Sequence, residues 1–297
     1  MKRLLSCYAS EMLAMDGNAL KHAIAASEGR TILCETTVFT QPLLGNVSNA
    51  EVAASFGADM VLLNGLDIMN PKIDGIPLTD NPIKTLAELS GRVIGVNLEP
   101  IDVDANMMET RTSIGKGRTA CKETFEEAQH LGFSFVCLTG NPGTGVTNAK
   151  IITAIQECKK HFHGLIIAGK MHGAGVNEPV IDMNSIKSFI AAGADVILLP
   201  ACGTVPGIQE SQIYEACNYI RSKGALSMSA IGTSQETSDP ETIREFALSS
   251  KRAGIDIQHI GDAGWGGIAL PENIMTMSIA IRGKRHTYFK MAQSVRR

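Results

Sequence analysis

The stretch H-G-L-I-I-A-G-K-M-H-G-A-G, His163 to Gly175, decides the fold. Its apolar run, Leu165 to Ala168, is short and bounded by glycines, as a buried strand is. Lys170 and His172 follow before the chain breaks on Gly173 and Gly175. Residues two apart on a strand share a face. The strand is therefore expected to reach His172, with Ile166, Ala168, Lys170 and His172 pointing the same way. If that face lines a closed barrel, Lys170 and His172 stand at its C-terminal mouth.

Working outward, the same pattern recurs without the same residues. Apolar strands are expected at 31–37, 58–64, 92–99, 133–139, 194–200, 225–231 and 255–260. Each follows a glycine closely. Strand starts lie about 27–41 residues apart, the length of a strand, loop, helix and return turn. Amphipathic helices are expected between them, at 148–161, 183–192, 210–222 and 240–253, each ended by a glycine C-cap. Near-continuous apolar strands argue for a parallel sheet covered by helices on its outside, and eight units close a barrel. The expected fold is α/β, a single (β/α)8 TIM barrel with an N-terminal helical extension. Residues 1–30 are the N-terminal helices, with Asp16 as an N-cap. Residues 31–270 are the barrel and 271–297 a helical, modestly basic tail that packs on the barrel or on a second subunit. No linker or shift of composition favours the competing two-domain open sheet.

Composition narrows the function. The 297 residues are 44% hydrophobic and 19% charged, with a net charge of −3 and 5% aromatics. Such a chain has neither the basic surplus nor the stacking platforms of a nucleic-acid binder. No apolar run approaches the ~20 residues that span a bilayer, and the N-terminus lacks a signal-peptide core. A cytoplasmic protein with a small-molecule substrate is expected, and a homo-oligomer is compatible with the tail. Seven cysteines, odd in number and without a C-x-x-C pair, form neither a disulfide framework nor a zinc motif.

In a barrel of this kind chemistry gathers at the C-terminal strand ends. These ends carry Glu35 and Thr37, Asn64, Asn97 and Glu99, Thr139 and Asn141, Lys170 and His172, Cys202 and Thr204, Ser229, then His259 and Asp262. Polar ends on apolar strands argue for an enzyme over a binding protein. Lys170, Glu99, Glu35, His172 and Asp262 are the candidate catalytic residues. Lys170 has three readings: a Schiff-base nucleophile, a fixed cation for a carboxylate or phosphate, or an ion-pair partner of Glu99 or Glu35. Glu35, Glu99 and Asp262 offer oxygen ligands for Mg2+, although no metal motif has diagnostic spacing.

Two glycine-rich turns have the composition of anion cradles. T-G-N-P-G-T-G-V-T-N (139–148) runs into a helix and supplies Gly140, Asn141 and Gly143. It approaches the phosphate-loop pattern, but Val146 stands where that motif needs lysine, which excludes a nucleoside triphosphatase of that type. G-D-A-G-W-G-G (261–267) supplies Gly261, Gly264 and Gly266 beside Gly232, Thr233 and Ser234, where barrels often bind phosphate. The long loop 100–119 carries Arg111, Lys116 and Arg118 and is a candidate lid.

This pattern resembles the phosphate-binding TIM barrels over residues 31–270, which implies the architecture and no catalytic residue. The chain is also similar to a group of bacterial barrel proteins sometimes labelled haloacid-dehalogenase-like hydrolases. That label implies a Mg2+-dependent phosphatase using Asp102 and Asp104 in D-V-D-A-N, Thr139, Lys170 and Gly261-Asp262. The order of these residues fits. Asn106 stands where that pattern has threonine or valine, and the second acid after Gly261-Asp262 is missing. The favoured expectation is a lyase (aldolase-like) or isomerase acting on a small phosphorylated or carboxylated metabolite. The phosphatase and a non-catalytic metabolite-binding barrel are the alternatives.

Overall fold

The computed structural model describes residues 2–297. Eight parallel strands close a barrel in chain order: β1 (Thr31–Thr37), β2 (Met60–Asn64), β3 (Val93–Asn97), β4 (Phe135–Leu138), β5 (Leu165–Gly169), β6 (Val196–Pro200), β7 (Leu226–Ile231) and β8 (Ile257–Ile260). Closure runs through β1 and β8, with Thr31 opposite Ile257 and Cys34 opposite Ile260. The anticipated (β/α)8 TIM barrel is thus the fold. Two short helices, α1 (Ala9–Leu13) and α2 (Gly17–Ala25), precede the barrel. Between strands lie α3 (Asn49–Ser55), α4 (Pro82–Ser90), α5 (Lys122–Leu131), α6 (Asn148–His161), α7 (Met183–Ala192), α8 (Glu210–Ser222) and α9 (Pro240–Arg252). The chain ends in α10 (Pro271–Ala292), interrupted at Gly283 by a left-handed φ of 74°. Among the described residues no helix is long and apolar enough to cross a membrane.

Local signals account for the helix ends. The Asp16 carboxylate accepts the Ala19 N–H at 2.7 Å, and Asp182 and Asp239 do the same for Ser185 and Thr242. Left-handed glycines close α4, α5 and α7 at Gly91, Gly132 and Gly193. The expected glycine is missing at α6, whose C-cap is the extended Phe162.

Side chains alternate between two apolar layers. Leu33, Leu62, Phe135, Ile167, Leu198 and Met228 fill the lumen, while Cys34, Leu63, Val136, Ile166, Ile197 and Ile260 face the helices. Gly95 leaves lumen space that the Phe135 ring fills. Leu4, Cys7, Met12, Leu20 and Ile24 join the lumen cluster, so the N-terminal extension stoppers the barrel's N-terminal end.

Two expectations about β5 are corrected here. The strand stops at Gly169 rather than reaching His172. Ile166 and Ala168 lie in the outer layer, whereas Leu165, Ile167 and Met171 belong to the lumen. Met171 therefore caps the lumen, and Lys170 has the outward phase. A strand buried on both faces is apolar throughout, so its sequence carries no signal of phase.

The tail packs on its own barrel. Fully buried Arg282 and Lys290 of α10 reach Asp59, at 2.6 Å and 3.5 Å, beneath the lumen. Lys290 also donates to Leu4 O and Cys7 O, tying the stopper to the tail. Burial pushes Asp59 up, but Arg282, Lys290, the Ile32 N–H and Arg92 outweigh it and hold its carboxyl low. Burial depresses Lys290 to about 8.

Candidate active site at the barrel mouth

The C-terminal ends of β1, β2, β3 and β8, with the turns after them, gather a polar network and, beside it, a buried Glu35–His259 pair. Asn64 donates to Asn141 Oδ1 and to Asp262 Oδ2, both at 2.8 Å. Asn97 donates to Asn64 Oδ1 at 3.2 Å, and its own carbonyl oxygen is buried without a donor. Glu99 is held on three sides: Asn141 N–H at 2.8 Å, Asn141 Nδ2 at 2.8 Å and Arg118 Nη2 at 2.9 Å. Glu35 Oε2 lies 2.8 Å from His259 Nε2, and both side chains are buried.

Burial dominates the electrostatics. It raises Glu35 to about 8, with Glu99 and Glu236 adding repulsion. It raises Asp262 to about 7, helped by Glu35 and opposed by the Asn64 hydrogen bond and His259. It lowers His259 to about 4 against the pull of Asp262 and Glu236. Burial thus favours the uncharged imidazole of His259 and the protonated form of Glu35, and holds Asp262 well above the usual carboxylate range. Carboxyl groups raised in this way can give and take protons near neutrality.

Glu236 belongs to the same cluster and was not anticipated. It sits in a short turn after β7, is fully buried, and neither oxygen has a hydrogen-bond partner. Burial raises it, against the facing N–H groups of Glu236 and Ala263. Nothing in the sequence marks it, because it follows the Gly232–Ser234 turn without any periodic pattern.

Other candidates stand elsewhere than expected. Lys170 Nζ meets Glu178 at 2.7 Å, not Glu99 or Glu35. The same Glu178 oxygen accepts the Asn148 N–H at the start of α6, at 2.9 Å. The turn 139–148, read as an anion cradle, thus leads into a helix start already filled by the protein's own carboxylate. His172 Nδ1 accepts the Ala174 N–H at 3.0 Å, so its proton is on Nε2, and burial pushes its pKa down. Thr147 donates to Asp102 Oδ2 at 2.8 Å, and Asp104 N–H to Asp102 Oδ1 at 3.2 Å.

The loop 100–119 is strapped down rather than hanging free. Asp102, Met108 and Thr112 donate backbone hydrogen bonds to Gly145, Gly175 and Gly143. Arg111 donates to the carbonyls of Thr144, Val103 and Ala105, and Lys116 pairs with exposed Glu123. Of the three cations only Arg118 enters the mouth, where its Nε is buried without a partner.

The strand-7 and strand-8 turns have packing roles. Gly232 fits against the Met171 thioether, Gly261 donates to Ile231 O at 2.9 Å, Gly264 lies against Ile268 O, and Gly266 against Leu43. Gly140 fits against Val146, and Gly143 under Thr112 with φ 73°. Thr233 donates to Gln235 at 3.0 Å, and Ser234 is left-handed at φ 66°. For Mg2+, the chemistry of the donors is suitable, since Glu35, Asp262 and Glu236 are hard oxygen ligands. Among the described residues no group of three or more His, Cys, Asp or Glu side chains is placed to hold a metal ion, so a Mg2+ ion here would take one or two of these carboxyls together with water or substrate oxygens.

A family model described as a domain of unknown function (DUF7916) matches residues 5–297. No curated protein is similar to the chain at a significant level. Among solved structures, an archaeal fructose 1,6-bisphosphate aldolase superposes with a TM-score of 0.54 at 14% identity, covering 86% of this chain and 95% of that one. A 2,3-dimethylmalate lyase of the PEP mutase/isocitrate lyase superfamily gives 0.49 at 15% identity, covering 86% and 81%. A phosphonopyruvate hydrolase, solved with oxalate and Mg2+, gives 0.47 at 12% identity, covering 82% and 80%. At such identities the likeness to the aldolase is one of fold.

Proposed function

We propose, for a chain that belongs to the DUF7916 family, an enzyme that moves a proton on a small carboxylated or phosphorylated metabolite, in lyase or isomerase chemistry at the barrel mouth. The observation that carries this reading is the pair Glu35 and Asp262 at one barrel mouth, both raised by burial, with Glu35 against His259 and Asp262 against Asn64, each at 2.8 Å. Two carboxyls in different settings, one on an imidazole and one on an amide, divide the roles of acid and base. Asp262 is the base that takes a proton from a carbon beside a carbonyl group. Glu35, protonated and hydrogen-bonded to neutral His259, returns one to the developing oxyanion. Arg118, with an unpartnered buried Nε and a grip on Glu99, anchors the substrate's carboxylate or phosphate. Asn64, Asn97 and Asn141 orient these groups.

In this reading Lys170 and Glu178 position the loop after β5 rather than reacting. The phosphatase alternative is disfavoured by the same contacts, since Asp102 is engaged by Thr147 and Lys170 by Glu178. No step is routed through Mg2+.

The test is hydrogen exchange in D2O. Panels of 2-oxo acids, 2-hydroxy acids and sugar phosphates are incubated with the protein and followed by 1H NMR, with and without added Mg2+ and with EDTA. Loss of one carbon-bound proton signal with wild type, reduced at least about 100-fold in Asp262→Asn, is the expected result. Exchange that survives both Asp262→Asn and Glu35→Gln undiminished would sink the assignment of base and acid.

A further inference from the structure

At the opposite end of the barrel lies a second concave site. A cleft of about 380 Å3 opens between the N-terminal segment and the part of α10 beyond its break at Gly283. It is lined by Lys2, Arg3, Tyr8, Arg285, His286 and Phe289, with Ser6 between them. This volume is in the range of small-molecule sites.

Its charges are unbalanced. Lys2 is neutralised by Glu11, whose two oxygens it meets at 2.9 Å and 2.6 Å. Arg3 contacts only the neutral Ser6 hydroxyl, at 3.4 Å. Arg285 points its guanidinium at His286 Nε2, 3.4 Å away. Burial lowers the His286 pKa, and Arg285, Arg3, Arg30 and Arg282 lower it further. Of these, Arg30 has Glu28 and Arg282 has Asp59 as partners. No carboxylate contacts Arg3 or Arg285 among the described residues. The whole chain carries a net charge of −3, so this local excess of cations is no consequence of composition. Like charges held together without counter-charge raise the free energy of the empty site, and an anion removes that cost.

The geometry also orders the cations. Tyr8 has Lys2 over its ring at 4.7 Å and Arg297 at 5.6 Å. Phe289 stands beside it, with ring centroids 5.9 Å apart, and supplies an apolar wall. Two guanidinium groups and an imidazole are planar donors suited to the oxygens of a phosphate group.

We propose that this cleft binds a phosphorylated small molecule, held by Arg3, Arg285 and His286, at a site separate from the mouth. The fit is to a compact ligand rather than to an extended surface, because the cations line a concavity of small-molecule size. The proposal does not depend on the reaction at the mouth.

Binding is measured on the untagged full chain by titration calorimetry and 31P NMR, at constant ionic strength, with inorganic phosphate, pyrophosphate and ADP as probes. Anionic phosphatidylglycerol vesicles form a separate arm. Saturable binding of at least one soluble probe is expected, at least tenfold weaker in Arg3→Ala/Arg285→Ala. Both side chains are exposed, and the thermal transition of that variant reports whether it folds. Lys284→Ala, an exposed cation outside the cleft, and Asp262→Asn at the mouth should bind within twofold of wild type. Absence of binding, equal binding by the double variant, or binding to vesicles alone would overturn the proposal.

Discussion

The two ends of this barrel treat buried charge in opposite ways. At the N-terminal end one acid, Asp59, sits among buried Arg282, Lys290 and Arg92, and its carboxyl is held below its ordinary value. At the C-terminal end Glu35, Glu236 and Asp262 crowd together, and all three are raised. A depressed acid is one that folding uses, because its charge is compensated only in the native state. Raised acids do the reverse: the fold tolerates them at a cost in stability, which marks them as a site. The contrast separates the end that holds the chain together from the end where chemistry belongs.

The largest expected effect tests the lower end. Asp59→Ala leaves three buried cations without their counter-charge and should cost about 3–5 kcal/mol, read by urea denaturation at pH 7. Asp59 is depressed, so its contribution is present above its unfolded value and lost as pH falls. The variant and wild type should therefore converge in acid. A loss under 1 kcal/mol at pH 7 (about a fivefold change in equilibrium) would break the comparison.

Glu35→Gln tests the upper end with the opposite sign. A raised acid is no burden below its unfolded value, and its cost grows as pH climbs from there to its folded value of about 8. A tenfold change in acid strength corresponds to about 1.4 kcal/mol. On that scale, from an ordinary value of 4.5 to about 8, the variant should gain up to about 5 kcal/mol at pH 9 and nothing at pH 4, while losing activity. Equal stability of variant and wild type at pH 9 would show Glu35 to be ionised without strain.

Next in size is the outward pair on the β5 side. Lys170→Met strands Glu178 and should cost about 1–3 kcal/mol. Adding Glu178→Gln should recover part of that loss, with turnover of the responsive substrate retained in the double variant. Abolished turnover in a well-folded double variant would return Lys170 to the chemistry. The smallest effect is Asp16→Ala, which removes the α2 N-cap and should cost about 1 kcal/mol in a thermal melt. No shift there would mean that the stopper is held by its apolar contacts alone.

Much of the fold was legible because the strand and helix repeat is written in local chemistry. Eight apolar runs, the cap Asp16, and the glycines at 91, 132 and 193 that precede strands can each be read within a few residues of chain. Glu35, Glu99, Asn64, Asn97, Asn141, Asp262 and His259 could be placed at the mouth because they end strands. Their partners could not be read, since Glu35 and His259 are joined by barrel closure across 224 residues of sequence.

The sequence by itself therefore determined the number and order of the units, the parallel sheet and the polar C-terminal end. Local propensity and the return to the barrel after every helix impose these. Only the tertiary structure decided the phase of β5, which turned Lys170 outward and Met171 inward. It also decided that Glu178 fills the start of α6, that Glu236 joins the mouth, and that the two chain termini build a cationic cleft. Each of these depends on where distant segments meet in space, and burial there, rather than residue type, sets the protonation of Glu35, Asp262 and His259.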